Sequence, residues 1–171
     1  LAGEGKSTAA VNLALSLAQA GQRVTLVDCD LRHPTDRQIL GVQEDGDGLR
    51  EILERKARMK DCLMGAKELG LESTMCIRFL PGGKTICDGS DLLGTELMGR
   101  IIKRLEEVSD YVILDSAPAG LLTDAVVLAQ YADGAVFVVR KDFARVDYIM
   151  DGMEHLAESN IQIIGGILNG V

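Results

Sequence analysis

The richest chemistry in the sequence is the segment Leu1 to Thr8, which reads LAGEGKST. Phosphate binding needs backbone N–H groups that converge on oxygens at a helix start, and glycine permits both the close approach and the unusual dihedrals. Gly3 and Gly5 meet that need, and Glu4 between them belongs to the same backbone cradle. Lys6 brings a point charge to phosphate oxygens, Ser7 offers a hydroxyl to a cation, and Thr8 offers one to the neighbouring phosphate. The plainer alternative is a glycine-containing helix start followed by a solvated lysine. The apolar helical pattern that follows favours the phosphate cradle.

Two further acidic positions suit a cation beside phosphate. Asp28 and Asp30 form a D-x-D pair at the end of an apolar run, and alternation along a strand would turn both toward one side. Asp115 closes YVILD, a second apolar run ending in an acid, the pattern of a Walker B strand. Mg²⁺ takes hard oxygen ligands, commonly one or two carboxylates with phosphates and waters. Turn or capping aspartates would account for either motif alone. With the phosphate loop, they read as a site for ATP and Mg²⁺, with the Ser7 hydroxyl and the strand-end acids Asp28, Asp30 and Asp115 as candidate metal ligands. Asn169, in ILNGV, could read the edge of a base or simply occupy a turn before Gly170. Arg32 and Arg140 end apolar runs, where salt bridges explain them as well as ligand contacts do.

These residues need a scaffold that brings strand ends and one helix start together. Ser7 to Ala20 has Val11, Ala14, Leu15 and Ala18 on one face, with Gly21 as the stop signal, and predicts a helix. Arg23 to Cys29, Cys76 to Leu80, Tyr111 to Asp115, Gly134 to Val139 and Ile161 to Leu168 predict strands. Between them, helices are expected over Leu49 to Met59, Asp91 to Val108 (capped by Ser90), Thr123 to Tyr131 and Val146 to Glu158, with a glycine-rich loop over Gly41 to Gly48. This alternation predicts an α/β fold, a mainly parallel sheet flanked by helices of the P-loop NTPase kind, with residues 1–171 as a single domain. A strand ordinarily precedes such a loop, and the full motif GxxxxGK[ST] would begin one residue before Leu1. The expectation is therefore a fragment of a longer chain, its first strand missing and a gap left near the middle of the sheet.

Composition narrows the function classes. The chain has 171 residues, 47% hydrophobic, 26% charged and 4% aromatic, with a formal net charge of -8. That suits a globular α/β protein and disfavours binding of nucleic acid by charge. No apolar run approaches the roughly 20 residues of a membrane span. Cys29, Cys62, Cys76 and Cys87 form no CxxC pair, so they read as reduced structural thiols, and neither His33 nor His155 has a metal-type neighbour.

Taken in order, the motifs resemble the bacterial tyrosine kinases of capsular and exopolysaccharide biosynthesis. The matching segments are GEGKST (Gly3 to Thr8), NLALSLAQAGQRVTLVDCDLRHP (Asn12 to Pro34), FLPGGK (Phe79 to Lys84), SDLLGTELM (Ser90 to Met98), DYVILDSAP (Asp110 to Pro118), TDAVVLAQYADGAVFVVR (Thr123 to Arg140) and GGILNGV (Gly165 to Val171). DCDLRHP combined with LPGGK and SDLL separates that family from the septum-positioning and partition ATPases that share the nucleotide site. The resemblance implies transfer of the ATP γ-phosphoryl group to tyrosine, a ring-shaped homo-oligomer, and a transmembrane activator of the polysaccharide co-polymerase type. It places the kinase in the cytoplasm, peripheral at the inner face of the membrane through that activator. It further implies that Lys6 grips phosphate, that Ser7, Asp28 and Asp115 serve Mg²⁺, that Asp30 orients the tyrosyl hydroxyl, and that Asn169 contacts adenine. The family departs at Ala2, at Asp88–Gly89 and at Ser116–Ala117, and its terminal tyrosine cluster is not among Tyr111, Tyr131 and Tyr148. A switch ATPase that hydrolyses ATP and a non-catalytic, nucleotide-dependent scaffold are the alternative functions.

Overall fold

The computed structural model describes residues 3–42, 46–86, 89–118, 123–143, 145–159 and 161–170. Ala2, Cys87, Asp88 and part of the loop expected over Gly41 to Gly48 lie outside these residues.

The first helix, α1 (Lys6–Gln19), follows the left-handed Gly5 directly and buries Val11, Ala14 and Ala18. It stops as expected at Gly21, whose φ is 82°, with Gln22 N–H donating to the carbonyl of Leu17 at 3.1 Å. Strand β1 (Val24–Asp28) is buried at every position. Its alternation splits the core: Val24 and Leu26 face α1 with Phe79, while Val27 joins Leu80, Leu93 and Met98 on the opposite face. Thr25, buried in the same strand, pairs its hydroxyl with that of Ser109 at 2.8 Å.

The remaining elements are α2 (Asp36–Ile39), α3 (Leu49–Leu53), α4 (Met59–Cys62), β2 (Met64–Gly65), β3 (Ile77–Leu80), α5 (Ser90–Leu93), α6 (Glu96–Glu106), β4 (Tyr111–Asp115), α7 (Asp124–Ala129), β5 (Gly134–Arg140), α8 (Val146–Glu158) and β6 (Gln162–Asn169). Two expected helices are each interrupted. The one expected over Leu49 to Met59 ends at Leu53, because Arg55 turns left-handed (φ 61°) and Lys56 N–H reaches back to the carbonyl of Glu51 at 2.7 Å. The one expected over Asp91 to Val108 breaks at Gly94. Thr95 then caps α6, its hydroxyl accepting from Met98 N–H at 3.4 Å and donating to the Leu92 carbonyl at 2.8 Å.

The strands form a four-stranded sheet ordered β2-β3-β1-β4 and a two-stranded sheet of β5 and β6. β3, β1 and β4 run parallel, β2 is an antiparallel edge, and β5 and β6 run parallel with a register shift at Ala135/Val136. Among the described residues, β4 pairs with β1 alone and β5 with β6 alone. Between these two unpaired edges lies a cleft of about 480 Å³, lined by α1, β4, β5 and side chains of α7, α8 and β6. The expected gap in the sheet is therefore present. It explains why Leu13, Tyr111, Val136, Ile164 and Ile167 are exposed despite lining an apolar interior.

Candidate functional site

Gly3 and Gly5 both adopt positive φ, 80° and 86°, and together shape the loop that opens α1. A Cβ at Gly5 would run into the side-chain amide of Asn169, so this position admits glycine for reasons of space as well as backbone. Two residues from the neighbouring sheet hold the loop. Arg140, ending β5, donates from Nη1 to the carbonyl of Gly3 at 3.2 Å, and Asn169, ending β6, donates from Nδ2 to the carbonyl of Glu4 at 2.9 Å. Arg140 and Asn169 are themselves cross-strand partners, so the pinning follows from the register of β5 and β6. Lys6 Nζ lies 3.6 Å from the Glu4 carboxylate, and Thr8 is exposed on the first turn.

Behind the loop, the parallel register of β1 and β4 sets Asp28 opposite Asp115 at the carboxyl ends of both strands. Ser7 donates its hydroxyl to Asp115. Asp28 accepts from the N–H groups of Asp30 at 3.2 Å and Asp36 at 3.3 Å. The expected alternation does not extend to Asp30, because β1 stops at Asp28. Asp30 instead sits in the following turn, where its Oδ1 accepts from His33 N–H at 3.0 Å, with its charge still felt by Asp28, Asp36 and Asp115.

A residue that sequence reasoning missed completes the acidic group. Asp36, opening α2, places a carboxylate oxygen within 4.8 Å of oxygens from Asp28 and Asp115. Asp28 and Asp36 are 0% exposed and Asp115 is 4% exposed. Burial, and then the charge of Asp115, push Asp28 up to about 8 and Asp36 up to about 9. Burial raises Asp115 as well, against the Ser7 hydrogen bond and the charge of Lys6, which both favour its ionised form. Asp36 follows Pro34 in the sequence, and an acid in a helix first turn reads as a dipole partner. Only the chain reversal after Arg32 carries it back to the strand ends.

The donor set fits Mg²⁺. It consists of hard oxygens, and three of them, both of Asp36 and Oδ2 of Asp115, are buried with no hydrogen-bond partner beyond the contact between those two carboxylates. The glycine loop beside them fits phosphate. Arg32, by contrast, is a salt-bridge residue: its Nε lies 3.2 Å from Oδ2 of Asp124, which also bonds Ser90. Cys29 and Cys62 are buried free thiols, whereas Cys76 is exposed. No helix of the described residues is long and apolar enough to cross a membrane.

Comparison with known proteins agrees with this geometry. Residues 2–167 match the family described as AAA domain. The chain is 32% identical over 169 residues to tyrosine-protein kinase CpsD of Streptococcus agalactiae, covering 99% of this chain and 71% of that protein. It is 32% identical over 168 residues to tyrosine-protein kinase YwqD of Bacillus subtilis, covering 98% of this chain and 68% of that one. Its fold superposes on the kinase domain of Escherichia coli tyrosine kinase ETK with a TM-score of 0.89 at 25% identity, over 100% of this chain and 64% of that one. With family match, relatives and fold in agreement, the chain belongs to the AAA domain family of P-loop ATPases, in its branch of bacterial tyrosine-protein kinases.

Proposed function

We propose that this chain is an autophosphorylating protein-tyrosine kinase that regulates capsular or exopolysaccharide synthesis and export. The observation that carries this reading is the alignment of Asp28 with Asp115 behind a glycine loop whose Ser7 bonds Asp115. Bound ATP supplies the γ-phosphoryl group, and Mg²⁺ neutralises charge on the phosphate oxygens. The amides of Gly3 to Thr8 hold those oxygens, and Lys6 leaves its pairing with Glu4 to meet the β/γ charge. Ser7, Asp28 and Asp115 hold the metal. Asp30, in the turn beyond β1, orients the tyrosyl hydroxyl and accepts its proton. The second N–H and remaining lone pair of the Asn169 amide contact adenine.

The acceptor is a tyrosine of a neighbouring subunit in a ring-shaped homo-oligomer. Tyr131 is unsuited to that role, because its hydroxyl donates to the carbonyls of Leu93 and Thr95 at 3.2 and 3.3 Å. The kinase works at the inner face of the membrane, held there by a transmembrane activator of the polysaccharide co-polymerase type. The net charge of -8 supports a protein partner over nucleic acid.

Incubation of the full-length protein with ATP and Mg²⁺, read by phosphotyrosine antibody and by ADP release, tests the proposal. Lys6→Met should lower phosphotyrosine formation about 10²–10³-fold, the scale for losing one preorganised charge contact in a transition state. ADP release without phosphotyrosine would assign a switch ATPase, and nucleotide binding without either product a scaffold.

A further inference from the structure

We propose that Asp36 is a third metal-binding carboxylate of this chain, and that Asp28, Asp36 and Asp115 together hold one divalent cation in the absence of nucleotide. This goes beyond the kinase reading, which draws only on Ser7, Asp28 and Asp115 and needs the cation only with ATP.

Three carboxylates are brought together where solvent cannot screen them, with Asp28 and Asp36 fully buried and Asp115 4% exposed. Buried polar atoms are satisfied as a rule, and each exception calls for an explanation. Asp28 obeys the rule, accepting two backbone N–H groups. Asp36 breaks it: its oxygens, like Asp115 Oδ2, have no donor from elsewhere in the protein and meet only each other's carboxylate. Lys6, whose charge acts on Asp115, is paired with Glu4 at 3.6 Å. Either a proton between Asp36 and Asp115 or a cation among the three acids answers the need for a partner.

Their spacing suits one. A hard cation with oxygens at 2.1 to 2.5 Å sets its ligands apart by about 3 Å when adjacent and about 4.2 to 5 Å when opposite. The three oxygens lie within 4.8 Å of one another, inside that span. The Ser7 hydroxyl, bonded to Asp115, is a further oxygen donor beside the group. A pre-loaded cation would place positive charge under the phosphate loop before the triphosphate arrives, so ATP would enter a site already neutralised.

The test uses full-length protein stripped of nucleotide, with Mn²⁺ alone as probe, read by electron paramagnetic resonance of the free ion. One Mn²⁺ should bind per chain. Asp36→Asn should weaken its binding at least tenfold, with the circular dichroism of the fold preserved in EDTA. Should that variant not fold, the rise in melting temperature of the wild type on adding Mg²⁺ without nucleotide serves instead. The idea fails if nucleotide-free protein binds no Mn²⁺, if Mg²⁺ leaves its melting temperature unmoved, or if Asp36→Asn binds Mn²⁺ as tightly as wild type. Any of these would leave the kinase reading intact, because phosphotyrosine formation with ATP and Mg²⁺ is measured separately.

Discussion

Asn169 and Glu4 are 165 positions apart in sequence, yet the Asn169 amide donates to the Glu4 carbonyl at 2.9 Å and fills the space a Gly5 side chain would need. The end of β6 is therefore part of the phosphate loop's support. Asn169→Ala removes this donor to the Glu4 carbonyl, a loss of about 1 kcal/mol or slightly more. Affinity for a fluorescent ATP analogue should fall roughly 5- to 10-fold. Gly5→Ala should be worse, since it strains a left-handed residue and displaces Asn169 together. An Asn169→Ala protein with wild-type nucleotide affinity would remove both its adenine contact and its loop-pinning role.

Arg32 provides a second test, this time of stability. Its partner Asp124 has a side chain only 2% exposed, and Arg32 itself is 20% exposed. Arg32→Ala strands a buried carboxylate, at a cost of about 2–4 kcal/mol, or roughly 5–15 °C in melting temperature for a chain this size. Adding Asp124→Asn to that variant should restore part of the loss, because the orphaned charge is then gone. A double mutant no more stable than the single one would show that Arg32 contributes by packing alone.

How much of this was legible in the sequence follows from the range of the interactions. The phosphate loop, α1 and its stop at Gly21 are local, so residue types and spacing revealed them. Asp28 and Asp115 were legible because each closes an apolar strand, and parallel pairing aligns strand ends. The breaks at Arg55 and Gly94 were not, since a non-glycine left-handed residue and a threonine cap inside an apolar pattern look like continuous helix. Asp36 was missed because its position depends on a tertiary reversal that no periodicity encodes. Asn169 was singled out for its amide as a base contact, whereas the tie the fold gives it, to Glu4, depends on the register of β5 and β6.

The buried acids make stability depend on pH in a defined direction. Asp28 and Asp36 have folded values of about 8 and about 9, above the ordinary 3.8. The folded state thus keeps protons that the unfolded chain releases, and stability falls as pH rises from about 4 towards 8–9. Below pH about 4 both states are protonated and this dependence vanishes. In EDTA, the melting temperature of the wild type should drop between pH 6 and pH 9, and Asp36→Asn should show a shallower drop. Identical slopes for the two proteins would mean that Asp36 does not titrate in this window.

The cleft between β4 and β5 yields the last prediction. Among the described residues both strands present an unpaired edge, and the cleft wall includes Leu13, Val136 and Ile164, which are 41%, 43% and 66% exposed. An extended segment laid between them would satisfy two rows of backbone groups and cover these side chains at once. Each large apolar side chain moved out of water contributes about 1.5–3 kcal/mol, from the five added valines and isoleucines as well as from the wall, against an ordering cost of about 1–2 kcal/mol for each added residue. A five-residue strand of valine and isoleucine joined ahead of the phosphate loop should therefore raise the melting temperature by several degrees. It should also abolish binding of a hydrophobic dye, while the same length of glycine and serine does neither. If both extensions behave alike, the cleft closes on its own in solution, and the wide separation of β4 from β5 is not how the sheet rests.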